Sequence, residues 1–492
     1  MGYIDEMQHI IRCKVGRKIV GMNFQTRSSA PVYKQVTNRE KYCFGIGAIG
    51  KDSVVNMVAA FLMLYFTDTL FLAPAFVGGL FFVARVWDAV NDPVMGMIVD
   101  NTRTKYGKFR IWLAVGTLLN SVVFVLLFKS FGLQGNALYA YVSIVYIVYG
   151  MTYTIMDVPY WSWLPNLTND PRQREKVSVV PRFFASLAGF CIATFGLYII
   201  QGFNEKVGKG KMDEYGFTMF AALIVVIFII TIAITVFNVG EEATTGGTGQ
   251  KVGLKQAVQV ITKNKELLAF IGLLLTFNLC TQIVWGFAVY YFKVVCGNEY
   301  LYSVFGGTKL AEMLGLVCFP MIAGKITREK TYTLACALPV VGLALLGICG
   351  VVMPSNAVLV VICCCLFMFG SGLSLGVTTC CIADVIDYGE VKFGTRNESI
   401  ICSTQTFLMK SAQAAAGLFT GIGLQMVGYN AKLETQSAFT VNGLRALMVA
   451  LPIFMAVCSY LIYTKCYTLK GKKMDEVTEQ MNQLRRAQGN GN

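Results

Sequence analysis

The sequence predicts an all-α, polytopic membrane protein of about twelve transmembrane helices arranged as two six-helix bundles. Of its 492 residues, 55% are apolar and 14% are charged, whereas an ordinary soluble chain has about 25% charged residues. Apolar runs of about 20 residues, the length that crosses a bilayer as a helix, recur along the chain. They lie near 46–71, 75–99, 111–128, 138–164, 180–201, 216–238, 266–292, 302–324, 331–353, 356–383, 400–427 and 443–464.

One long Gly- and Thr-rich break, GEEATTGGTGQKVG at 240–253, divides these runs into two sets of six. Such a segment is typical of a linker between two halves. The plan is similar to the major facilitator fold, in which the substrate site lies near the midplane between the halves. The predicted segments are an N-terminal cytoplasmic segment (1–40), a first bundle (41–239), a cytoplasmic linker (240–264), a second bundle (265–467) and a solvated helical tail (468–492).

Lysines and arginines concentrate in the loops that follow even-numbered runs. By the positive-inside rule, both termini are predicted to be cytoplasmic, in a multi-pass protein of the cell's inner membrane. The net charge of +14 is spread over alternate loops, so the predicted surroundings are membrane lipid and not nucleic acid. A monomer would suffice for function. No phosphate loop, zinc motif or nucleophile elbow occurs in the sequence, so we predict neither an enzyme nor a cofactor.

Charged residues inside the predicted spans mark the candidate site. A charge at the bilayer centre costs roughly 2.5–3.5 kcal/mol even on a lenient scale, so each one retained there needs a partner or a role. These residues are Lys51, Asp52, Arg85, Asp88, Asp92, Asp157, Arg182, Lys309, Glu312 and Lys410.

Asp88 and Asp92 are four residues apart and therefore share one helical face, beside Asn91. Two carboxylates so placed repel each other, and a bound monovalent cation or a proton would relieve the repulsion. Carboxylate and amide oxygens suit a hard ion such as Na⁺. The alternative is that Arg85 and Lys410 simply neutralise the pair in a structural role.

Asp157 and Trp161 are also four residues apart, which places a carboxylate beside an indole ring. A sugar can be bound in this way, through hydroxyl groups on the carboxylate and an apolar ring face on the aromatic. The alternative is that Trp161 anchors the helix at the membrane interface, where tryptophan is enriched.

Three long motifs resemble the glycoside-pentoside-hexuronide:cation symporter family, and in particular its melibiose permease branch. They are RVWDAVNDPVMGMIVDNTRTKYGKFRIW (85–112), YTIMDVPYWSWLPNLTNDPRQREKVSVVPRFFASLAGF (153–190) and ADVIDYGEVKFGTRNESIICSTQTFLMK (383–410). The resemblance covers roughly 41–467. It implies a secondary symporter in which inward flow of Na⁺, or alternatively H⁺ or Li⁺, drives uptake of melibiose or another galactoside by alternating access.

The resemblance also implies roles for individual residues. The implied cation site is Asp88, Asn91, Asp92 and Thr154. The implied sugar site is Lys51, Asp52, Asp157, Trp161, Arg182, Gln405 and Thr406. Arg85 and Lys410 complete the implied charge network.

The chain departs from the melibiose pattern at positions that bear on the substrate. It has Ser374 and Leu375 where that branch presents aromatics, and Lys309 and Glu312 have no charged counterpart there. If Lys309 faces the cavity it can receive a substrate carboxylate, as in a glucuronide. If it pairs with Glu312, three residues further on, its role is structural.

Two other functions compete with symport of a galactoside. A membrane glycosidase also uses paired carboxylates, but Asp88 and Asp92 share one helix within lipid, beside cationic residues. A symporter of another glycoside, or a lysolipid or drug carrier of related fold, is the alternative within transport, and Asp52, Asp157 and Trp161 favour a sugar.

Overall fold

The computed structural model describes residues 36–164, 167, 171–241, 262–393, 398–433 and 435–489, which contain helices and no strand. The helices are α1 (Asn38–Leu64), α2 (Pro74–Asn101), α3 (Arg110–Leu127), α4 (Gly135–Trp163), α5 (Pro171–Lys206), α6 (Glu214–Asn238), α7 (Lys265–Val294), α8 (Tyr300–Gly307), α9 (Lys309–Ile326), α10 (Arg328–Val352), α11 (Ala357–Phe393), α12 (Glu398–Met426), α13 (Ala438–Arg445), α14 (Leu451–Lys465) and α15 (Gly471–Gly489). Two π-helical turns, Tyr65–Thr69 and Ala446–Ala450, extend α1 and join α13 to α14.

Each of the twelve predicted apolar runs coincides with a helix or with two consecutive helices, so the predicted fold class is confirmed. Among the described residues, nine helices are long and apolar enough to cross a membrane. The other three runs fall on α2, α9 and α12. The predicted N-terminal segment and the linker fall largely outside the described ranges, so the segment boundaries remain predictions.

The first helix begins with a capping box. The Thr37 hydroxyl accepts a hydrogen bond from the backbone N–H of Glu40 (3.2 Å), and the Glu40 carboxylate accepts one from the backbone N–H of Thr37 (3.0 Å). The box satisfies backbone donors that a helix start leaves unpaired. We call this side of the bundle the terminal end, and the opposite side the distal end.

Glycines allow the helices of each half to approach closely. A Cβ at Gly47 or Gly50 of α1 would clash with Thr235 or Thr231 of α6. Between the halves, a Cβ at Gly421 of α12 would clash with the backbone of α2. Small residues at such crossings are a general feature of membrane helix packing, where dispersion contacts replace the hydrophobic effect.

The tail after the last span is helical, as the sequence predicts, but one face of it is buried. Val477 and Met481 of α15 are buried, and Lys473 pairs with Glu266 at the start of α7 (3.1 Å). Glu266 also accepts a hydrogen bond from the backbone N–H of Thr468 (2.8 Å). The tail is therefore docked on the terminal end of the second half.

Candidate functional site

A buried lysine joins two carboxylates in the first half. Lys51 of α1 is 2% exposed, and its Nζ lies 2.8 Å from Asp157 Oδ1 of α4 and 3.3 Å from its neighbour Asp52. The ammonium also donates to the Tyr153 hydroxyl at 3.2 Å. With one cation and two anions, this group, which we call the lysine cluster, has a net negative charge.

Two features of the lysine cluster suit a ligand rich in hydroxyl groups. Asp52 Oδ2 is buried and accepts no hydrogen bond from any described residue. Such an atom ordinarily finds a partner, so it is available to a donor from a ligand. The Trp161 ring lies 5.0 Å from the Lys51 ammonium, so the indole ring and both carboxylates surround the same ammonium group.

A second cluster lies between α2, α4 and α12. Asp92 forms an ion pair with Lys410 of α12 and accepts a hydrogen bond from Thr154 Oγ1 of α4 at 3.0 Å. Asp88, which is 8% exposed, pairs with Arg85 Nη1 at 3.1 Å. The two carboxylates, which the spacing predicted on one face, thus have separate cationic partners.

Two further residues lie next to these carboxylates. Asn91 Nδ2 is buried without a hydrogen-bond partner among the described residues. Gly150 of α4 faces Asp88, and a Cβ added there would lie 3.0 Å from Asp88 Oδ1. Gly150 is not among the predicted site residues, although it lies four residues before Thr154 and therefore on the same face of α4. We call Asp88, Asn91, Asp92, Thr154 and Gly150 the aspartate cluster.

Helix α4 connects the two clusters. Thr154 hydrogen-bonds Asp92 of the aspartate cluster, and Asp157, three residues further on, binds Lys51 of the lysine cluster. Residues three apart lie on neighbouring positions of one helical face. A shift of α4 that alters one cluster therefore alters the other.

A cavity of about 400 Å³ lies between the halves. It begins one turn beyond each cluster, since Asn56 follows Asp52 by four residues and Arg85 precedes Asp88 by three, and both line it. Asp52, Asp157 and Trp161 do not line it. Its wall in the second half includes Gln405, Ser374 and Leu375.

Lys309 and Glu312 meet the geometric condition of each alternative, because they line the cavity and also pair with each other. Both side chains line the cavity, and they form an ion pair with 2.6 Å between Nζ and Oε2. Of the other residues implied by the resemblance, Arg182 has an exposed side chain on α5 and does not line the cavity. The Thr406 side chain lies outside the described part of the structure.

At the distal end, an ion pair that the sequence analysis missed joins the halves. Asp68, in the π-helical turn after α1, is 7% exposed and pairs with Lys293 at the end of α7. The Tyr429 hydroxyl donates to the same carboxylate at 2.8 Å, and the hydroxyls of Thr67 and Tyr290 lie 2.9 Å apart. We call Asp68, Lys293 and Tyr429 the distal lock.

Further contacts between the halves lie near the lock. Gln201 of α5 donates to Glu299 at 2.7 Å, and the rings of Tyr198 and Tyr300 stack with centroids 5.0 Å apart. The contacts described at the terminal end, such as Arg39 to Asn238, join residues of one half. Among the described residues, contacts between the halves therefore close the cavity at the distal end.

Two helical halves enclose a cavity with polar side chains in a largely apolar wall, and charged residues of the predicted spans flank it. This arrangement is that of a membrane transporter of the major facilitator type. The family model described as MFS/sugar transport protein matches residues 43–470. The chain belongs to this family.

The most informative relatives are named for sugars or for symport. The chain is 28% identical over 435 residues to the isoprimeverose transporter of Lactiplantibacillus pentosus (87% of this chain, 88% of that protein). It is 26% identical over 472 residues to the lactose permease of Lactobacillus helveticus (91% and 72%). It is also 26% identical over 463 residues to a putative glycoside/cation symporter of Escherichia coli (92% and 97%). The predicted resemblance to glycoside:cation symporters is thereby confirmed.

Solved structures agree on the fold. A bacterial homologue of the lysosomal transporter Spinster, in an inward-facing and unoccupied conformation, superposes with a TM-score of 0.64 at 12% identity (88% of this chain, 98% of that chain). The nucleoside transporter NupG, as a D323A mutant, superposes with a TM-score of 0.60 at 13% identity (86% and 100%). These likenesses show the major facilitator fold alone.

The close approach of Gly150 to Asp88 leads to a first prediction. Gly150→Ala should weaken activation by the coupling cation about fivefold, because the added methyl group crowds Asp88 and overpacking a tight site costs about 1 kcal/mol or more. The measurement is sugar uptake as a function of Na⁺, H⁺ or Li⁺ concentration. Gly96→Ala is the matched control, since a Cβ at Gly96 on α2 meets no atom within 4 Å. Equal cation dependence in the two variants would contradict the prediction.

Proposed function

We propose that this protein is a secondary symporter that couples inward flow of Na⁺ to uptake of an uncharged glycoside such as melibiose or another galactoside. H⁺ and Li⁺ are the alternative coupling ions. The observation that carries the proposal is the position of Thr154 and Asp157 on one face of α4, each in contact with a different charged cluster.

The aspartate cluster is the proposed cation site. It offers oxygen ligands from Asp88, Asp92 and Thr154, which suit a hard monovalent ion. The Lys410 ammonium now occupies one side of Asp92. A bound cation competes with this ammonium for the same carboxylate, so loading of the site changes how α12 of the second half is tied to α2 of the first.

The lysine cluster is the proposed sugar site. The free Oδ2 of Asp52 and the carboxylate of Asp157 accept hydrogen bonds from sugar hydroxyls, and the Trp161 ring covers an apolar face of the pyranose. Because α4 joins the clusters, each ligand tightens the binding of the other, with a coupling free energy of about 1–3 kcal/mol.

The proposed orientation places both termini in the cytoplasm. The distal lock then lies on the outer side of the membrane, and the structure is the inward-facing state of the transport cycle. After release of sugar and cation, the halves rock about the midplane site and open the distal end.

The test is uptake of radiolabelled melibiose and lactose into membrane vesicles with and without an inward Na⁺ gradient. We expect the gradient to stimulate uptake in the wild type. In Asp92→Asn, Na⁺ activation should weaken about 100-fold, because a full charge is lost within about 4 Å of the ion. Asp213→Asn, in the loop before α6, is the control, since asparagine also serves as an N-cap there.

Two results would overturn the proposal. The first is equal uptake of every glycoside tested in the presence and absence of Na⁺, H⁺ and Li⁺ gradients. The second is hydrolysis of a labelled glycoside by the purified protein in detergent, which would indicate a glycosidase.

A further inference from the structure

Helix α7 presents a polar stripe to the cavity. Asn278, Gln282 and Trp285 are spaced four and three residues apart, so they share one face, and all three line the cavity. Polar side chains inside a membrane are costly, and they face the bundle interior or a water-filled cavity where they serve a pathway or site. The lysine and aspartate clusters do not use this stripe.

The indole in the stripe is held in place. The Trp285 ring lies 4.6 Å from the Phe305 ring, centroid to centroid, at an interplanar angle of 56°. The Lys309 ammonium lies 5.5 Å from the indole centroid. An aromatic ring fixed at the cavity wall, beside polar side chains, provides a flat apolar surface for the face of a pyranose ring.

The neighbouring ion pair determines the charge of a suitable ligand. Lys309 and Glu312 are 27% and 20% exposed at the side chain, so both remain open to the cavity. The pair has no net charge, and its two ends donate to and accept from hydroxyl groups. A carboxylate brought to Lys309 would also meet Glu312, which opposes it.

The position of the α7 stripe and of the Lys309–Glu312 pair, relative to the lysine cluster, indicates how a ligand would lie in the cavity. The stripe and the ion pair belong to α7 and α9 of the second half, whereas Asp52 and Asp157 belong to the first. Asn56, one turn beyond Asp52, lines the same cavity. A volume of about 400 Å³ falls in the range of about 300–1,000 Å³ that encloses drug-sized ligands, and it exceeds what one pyranose ring requires.

We infer that Gln282, Trp285, Lys309 and Glu312 form a second sugar subsite, which binds the ring of a glycoside that the lysine cluster does not hold. The subsite selects uncharged glycosides with at least two rings over single-ring glycosides and glucuronides. This inference rests on the proposed function and specifies its substrate class.

The experiment is calorimetric titration of the purified full-length protein in lipid nanodiscs, in Na⁺, with melibiose, lactose and methyl α-galactoside. Trp285→Ala should weaken binding of the two disaccharides about tenfold, which corresponds to about 1.4 kcal/mol, because the flat apolar surface under the second ring is lost. Binding of methyl α-galactoside should change less than twofold. Trp285→Tyr keeps an aromatic surface and should retain most of the affinity for the disaccharides.

A gain of binding provides a second readout that a misfolded variant cannot imitate. Glu312→Gln removes the carboxylate and leaves the Lys309 ammonium free, so methyl glucuronide should bind this variant at least tenfold more tightly than it binds the wild type. In Lys309→Gln/Glu312→Gln this gain should disappear.

Each failure has its own signature. The subsite is overturned if Trp285→Ala loses affinity equally for one-ring and two-ring sugars. It is also overturned if the wild type binds methyl glucuronide as tightly as melibiose. In both cases, Na⁺-driven uptake would still support the proposed function. Absence of cation-driven uptake of any glycoside in the wild type overturns the proposed function and, with it, the subsite.

Discussion

Asp157→Asn should reduce glycoside affinity about 100-fold. The change removes the charge that binds Lys51 at 2.8 Å and, in the proposed site, a strong acceptor for sugar hydroxyls. A hydrogen bond to a charged group contributes about 1.5–3 kcal/mol, and the buried ammonium of Lys51 loses one of its two carboxylates. The affinity is measured by calorimetry with melibiose on the purified protein.

The same variant should keep its cation site. Thr154 and Asp92 remain in place, so binding of Na⁺ without sugar should change less than threefold. Asp157→Glu, which retains the charge, should recover part of the sugar affinity. Unchanged melibiose binding in Asp157→Asn would contradict the assignment of the lysine cluster as the sugar site.

Asp68→Asn should open the distal end. Removing one partner of a buried ion pair leaves the other charge uncompensated and is destabilising by about 3–5 kcal/mol. Lys293 is 31% exposed at its side chain, so solvent screening reduces the effect, and we expect about 1–2 kcal/mol, or roughly a tenfold shift between the conformations. The distal lock stabilises only the conformation in which the distal end is closed. Its loss therefore favours the conformation in which the distal end is open.

Cross-linking measures this shift. Cysteines placed at Tyr198 and Tyr300, whose rings stack across the halves, should cross-link readily when Asp68 is present and about tenfold more slowly in Asp68→Asn. The background needs replacement of the native cysteines. Glu299→Gln is the matched control, because an amide at that position can still accept from Gln201. Equal rates in all three proteins would show that the distal lock does not hold the halves together.

The sequence predicted the helical fold and much of the candidate site because both depend on local patterns. Apolar runs of membrane length identify a helix regardless of its neighbours, and four-residue spacing places Asp88 with Asp92 and Asp157 with Trp161 on one face. The cost of burying a charge in lipid singled out Lys51, Lys309 and their neighbours before any contact was known.

The contacts that the sequence did not predict join distant segments. Asp68 and Lys293 are 225 residues apart, and nothing in the local pattern pairs them. An aspartate at the end of an apolar span is a signal of a functional charge, but it does not identify the partner. Lys410 could have paired with either Asp88 or Asp92, and only the packing of α12 against α2 selects Asp92. That Lys309 both lines the cavity and pairs with Glu312 depends on the rotation of α9, which spacing leaves open.

The link through α4 sets a limit on how far such a carrier can concentrate its substrate. In the proposed mechanism, one cation at the aspartate cluster carries a single positive charge across the membrane with each uncharged glycoside. Moving that charge through 100 mV releases about 2.3 kcal/mol, which corresponds to an accumulation of about 50-fold, since 1.4 kcal/mol is a factor of ten. The concentration ratio of the cation multiplies this figure, so a tenfold Na⁺ gradient raises the ceiling to about 500-fold.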